Sequence, residues 1–90
     1  MKREEVYKLI DGEREYQDKR WDPQEHGNHT PEEWVLYMED YLLEAKHLLS
    51  RDDLFICRPK AMEIIRKVTA MGVCAMEQNV TKPRNSGTLS

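Results

Sequence analysis

Four glycines and four prolines in ninety residues are too few for a collagen-like repeat or a Gly/Pro-rich disordered chain. There are only two cysteines, Cys57 and Cys74, and they form no CxxC pair. No disulfide framework is expected from them, and both thiols should stay reduced in a cytoplasmic setting. Long apolar runs are missing too: near the N-terminus the longest is Leu9-Ile10. Neither a secretory h-region nor a membrane span is expected. An excess of basic charge is the last absence. Lys and Arg number 14 against 17 Asp and Glu, a net charge of -3 with pI near 5.6. General nucleic-acid binding, which relies on a basic surplus, is therefore not expected.

What remains is a short, charge-rich chain of one domain, with 34% charged residues and a mean hydropathy of -0.84. Its patterning is helical. Val6, Ile10 and Gln17 share a stripe over about Lys2 to Lys19, with Leu9 and Tyr16 beside it. Acids come early (Glu4, Glu5) and bases late (Lys19, Arg20), as a helix dipole favours. Asp22 to His29 contains Pro, Gly and Asn without periodicity and reads as a loop. Thr30-Pro31-Glu32-Glu33 then places Thr at an N-cap, Pro at the first helical position and Glu at the third, a capping box. The stripe Trp34, Met38, Tyr41, Leu42, Ala45, Leu48 and Leu49 carries this second helix to about Ser50.

Leu54-Phe55-Ile56 is too apolar for a bare loop, and the pattern predicts a short turn folded back over the core. Pro59 is expected to open the third helix, which runs to about Gln78. From Val68 to Met76 that helix has no charged residue. A segment apolar nearly all round calls for burial, and a second copy of the chain is the expected cover. The fold class expected is all-α: a helical hairpin plus an N-terminal helix, assembled as a homo-oligomer. Residues 1–79 form the domain and 80–90 a polar tail.

The runs Asp11-Gly-Glu-Arg-Glu-Tyr-Gln-Asp-Lys-Arg-Trp21, His29-Thr-Pro-Glu-Glu-Trp34, Ile65-Arg-Lys-Val-Thr-Ala70 and Cys74-Ala-Met-Glu-Gln78 carry a resemblance. Over most of residues 3–84 the chain resembles small proteins of tailed phages that look like trimmed all-α NTP pyrophosphohydrolases of the MazG type. Such enzymes present Glu-x-x-Glu on one helix and Glu-x-x-Asp on the next. Acids three apart share a helix face, and two opposed faces make a carboxylate cage for Mg²⁺, which takes oxygen ligands and activates water. In this sequence Glu44 and Glu63 begin the two pairs, but their partners are His47 and Arg66. Each pair has lost a carboxylate, and Arg66 would repel a cation. A rearranged metal site drawn from Glu15, Asp18, Asp40 and Glu44 remains an alternative.

The same replacements suit direct phosphate binding, since Arg offers phosphate a bidentate fork without a metal. Arg14, Arg66 and Lys67 would bind the anion, Tyr16 or Trp21 would offer a stacking surface, and Gln17 is a further candidate ligand contact. Plainer readings stand beside these. Arg66-Lys67 also fits a solvated helix face, and Trp21 and Trp34 also fit core positions. Cys74 fits a small buried hydrophobe. His26 and His29 have a metal-like spacing but too few companions. The expected function is a non-enzymatic phage protein that sequesters a phosphorylated nucleotide-type immune signal, needing no cofactor. The alternatives are a Mg²⁺-dependent pyrophosphohydrolase and a protein-binding inhibitor of a host defence enzyme.

Overall fold

A computed structural model describes residues 1–22, 27–51 and 53–85. The described residues form three helices: α1 (Arg3–Arg20), α2 (Pro31–Leu49) and α3 (Leu54–Gln78). The all-α class and the hairpin with its N-terminal helix are as the sequence pattern implies. His26 lies outside the described residues, as do 86–90 of the tail. Residues 80–85 carry no regular secondary structure.

α2 starts where its chemistry says it should. The Thr30 hydroxyl accepts a bond from the Glu33 N–H at 3.3 Å, and the Thr30 N–H donates back to Glu33 Oε1 at 3.1 Å. At the other end the Ser50 hydroxyl donates to the His47 carbonyl at 2.7 Å. The bonds from Thr30 hold the Glu33 carboxyl below its ordinary pKa, the Thr30 backbone N–H being the largest cause.

α3 corrects the sequence reading. The helix opens at Leu54, capped by Asp53, whose carboxylate accepts from the Ile56 N–H at 3.2 Å. Pro59 therefore lies inside the helix and does not begin it. The first turn does not fold back over the core either. Phe55 is 91% exposed and Ile56 exposed, while Cys57 takes the buried position one turn before Ala61. A strong N-cap and a buried Cys57 offset the backbone bond that proline removes.

α2 and α3 pack antiparallel around Ala45, Ala61, Ile64 and Val68, with Met38, Tyr41 and Leu48 against them. The small alanines let the two backbones come close. α1 lies mainly along α3, and its inward stripe is only partly apolar: Ile10, Arg14 and Gln17 are buried. The charge-free run of α3 is covered in good part by the chain's own helices. Val68, Ala70 and Met71 are buried and Gly72 to Ala75 half-buried, leaving Thr69 and Met76 exposed.

Candidate binding site between the helices

Two hollows lie where α1 meets the hairpin, each lined by residues of all three helices. The first is an aromatic cavity of about 310 Å³. Trp21 enters it from the end of α1, and Trp34, Tyr37 and Tyr41 from one side of α2. Positions 34, 37 and 41 are three and four apart, so one helix face presents all three rings. His29 packs edge-on against Trp34 and Tyr37, with ring centroids at 5.3 and 5.1 Å. Met71 and Cys74 of α3 form the far wall.

Polar groups at this wall are mostly engaged. The Gln78 side-chain oxygen accepts from the Trp34 indole N–H at 3.0 Å and from the His29 backbone N–H at 2.9 Å. Trp34 is thereby locked in place. Gln17, buried, donates from its side-chain amide to the Lys67 carbonyl at 3.1 Å. Arg14 makes a two-pronged bridge to Glu77, Nε to Oε1 at 2.9 Å and Nη2 to Oε2 at 3.0 Å, and Nη2 also meets Asp18 at 3.0 Å. The bridge raises the Arg14 pKa further and holds the Glu77 carboxyl below its ordinary range. Burial pushes the Cys74 thiol up, which keeps it protonated and poorly nucleophilic.

The second compartment is a more open cleft of about 550 Å³. Lys60, Arg66 and Lys67 line it together with Glu13, Glu44 and Glu63, and Tyr16 stands at its α1 side. Arg66 Nε donates to Glu13 Oε1 at 2.8 Å, which secures α1 to α3 a second time. The partition between the compartments is Tyr41 and Lys67: the ammonium sits 4.6 Å from the Tyr41 ring centroid, a cation–π distance.

The six candidate residues read from the sequence are thus divided. Arg14, Gln17 and Trp21 line the aromatic cavity, and Tyr16, Arg66 and Lys67 line the charged cleft. His29, Tyr37, Tyr41 and Gln78 in the cavity and Lys60 in the cleft are lining residues that the sequence pattern does not mark as ligand contacts. The 34/37/41 spacing was the available signal, but it looks the same when rings serve only as core.

The Mg²⁺ that the MazG resemblance implies does not fit this donor set. Glu44 and Glu63 do face one cleft, but Glu13 there is engaged by Arg66 and two lysines share the space. Among the described residues no three His, Cys, Asp or Glu side chains, including Glu15, Asp18, Asp40 and Glu44, are grouped so as to hold a metal ion. No described helix is long and apolar enough to cross a membrane. Compared with known proteins, the chain matches no family model, no curated protein and no solved structure.

Proposed function

We propose that the chain is a non-enzymatic binding protein for a phosphorylated nucleotide-type molecule, a small phage protein that withholds an immune signal in the host cytoplasm. The observation that supports this is the adjacency of the two compartments across Tyr41 and Lys67. A planar base stacks between aromatic walls, and its phosphates extend toward Lys60, Arg66 and Lys67. The chemistry is ring stacking plus charge-assisted bonds to phosphate oxygens. In this reading Arg14 is a clamp and cavity wall, since a phosphate placed there would face Asp18 and Glu77. Arg66 keeps a role because its contact with Glu13 uses Nε, one of five guanidinium donors, and its side chain is 45% exposed.

Thermal denaturation with cyclic dinucleotides, cyclic ADP-ribose isomers and a panel of NTPs with Mg²⁺ tests the reading. A bound compound at a hundred times its Kd stabilises the fold by about 2.7 kcal/mol. Heating then releases it chemically intact. Lys67→Ala weakens binding by tenfold or more, at about 1.5–3 kcal/mol for a charge-assisted bond, and Tyr41→Ala by about fivefold, at about 1 kcal/mol for lost ring contact. Recovery of a monophosphate or a linearised product overturns the binding-only reading in favour of pyrophosphohydrolysis. No shift with any of these compounds, together with a stable complex with a host protein, overturns it in favour of a protein inhibitor.

A further inference from the structure

The side of the hairpin away from α1 is apolar and follows a pattern of its own. On α3, α2 occupies one third of the helix circumference and α1 another. The remaining third carries Met62, Ile65, Thr69, Val73 and Met76, all exposed except half-buried Val73. These positions are symmetric about Thr69, at seven and four residues to either side. On α2, Val35, Leu42 and Leu49 recur every seven residues, on the flank turned from Tyr37 and Tyr41, and all three are exposed. They are symmetric about Leu42. The two centres stand at one level: Trp34 bonds Gln78, and Met38 lies against Gly72, so antiparallel stepping brings Leu42 opposite Thr69.

A stripe that reads the same from both ends fits its own copy turned through a half circle. One axis through the level of Leu42 and Thr69 serves both helices at once. It places Met62 on the partner's Met76, Ile65 on the partner's Val73, and Thr69 on its own counterpart. The charges agree. Glu39 and Lys46 flank the α2 stripe at near-equal distances from Leu42, and the same axis brings each against the other in the second copy. Among the described residues neither forms an ion pair within its own chain. Thr69 brings no unmet polar group, because its hydroxyl already donates to the Ile65 carbonyl at 2.7 Å.

We infer that the occupant of this face is a second copy of the chain, packed as an antiparallel four-helix bundle with α1 on the outside of each half. The inference is independent of the ligand site, which opens on the other side of the hairpin.

Sedimentation velocity and light scattering on the full chain decide it. Wild type at micromolar concentration is expected at twice the 10.7 kDa chain mass. Thr69→Arg, at an exposed position on the axis, sets two like charges face to face. It should weaken association by roughly a hundredfold while circular dichroism stays helical. Glu39→Lys alone dissociates the dimer in the same way, and Glu39→Lys with Lys46→Glu restores it, since the pairs re-form between copies. A folded wild-type monomer overturns the inference, whether or not another protein occupies the face. A dimer indifferent to Thr69→Arg, or a double swap that fails to restore it, overturns the geometry.

Discussion

Arg14 has partners that its sequence neighbours do not announce. Beside Tyr16 and Trp21 it resembles a phosphate ligand, but its guanidinium spans to Glu77, 63 positions away, and Asp18 completes the neutralisation. A partner that distant leaves no trace in local spacing. Glu77 has a lowered pKa in the folded chain, first because Arg14 donates to it. A carboxyl whose folded pKa is depressed contributes stability above its unfolded value and loses it as pH falls. Urea melts should therefore show stability declining once pH drops below the ordinary value of 4.5. Glu77→Gln should be less stable at pH 7 and lose less on acidification. Arg14→Ala should cost about 1–2 kcal/mol, at and just below the lower end of the range for charged hydrogen bonds, because the Glu77 side chain is 53% exposed and solvent screens it. An acid limb unchanged in Glu77→Gln would assign the decline to other groups, Glu33 among them.

At the scale of elements, local chemistry was most legible where bonds close within one turn. The capping box of α2 is such a case, and Thr30 meets Glu33 as the spacing implies. Thr30→Ala should lower stability by about 1 kcal/mol, while Thr30→Ser should keep most of it. Chemical denaturation of the pair measures the cap, and equal losses in both variants would show that the methyl group matters more than the bond. The start of α3 departs from the sequence pattern for a reason just as local. Proline favours a first turn, so Pro59 resembles a beginning. Asp53 supplies a side-chain cap five residues before Leu54-to-Arg58 is complete, and the buried Cys57 continues the packing face upstream of the proline.

For the whole molecule, the division of labour among helices predicts an uneven stability. α2 and α3 share the buried cluster of Ala45, Ala61, Ile64 and Val68, whereas α1 contributes Ile10 as its one buried apolar side chain. Fully burying an isoleucine contributes about 1.5–3 kcal/mol. The Arg14 and Arg66 bridges add a modest amount beside it. α1 should therefore open before the hairpin does, and its amides should exchange hydrogen at a lower free energy than those of central α3. Uniform protection across all three helices would instead mark one cooperative unit.

The sequence by itself determined the three described helices, the α2 cap, the loop end at His29, and the apolar stripes that join α2 to α3. All of these depend on groups within about two turns of one another, and helical periodicity records them directly. Only the tertiary structure decided which charged groups are already paired. It also divided the candidate residues between an aromatic cavity and a charged cleft, and left one flank of the hairpin bare. Those outcomes depend on how the helices cross. Crossing brings together Arg14 with Glu77, Arg66 with Glu13, Trp34 with Gln78 and Lys67 with Tyr41. Partners separated by whole helices are set by packing geometry, which no short-range spacing encodes.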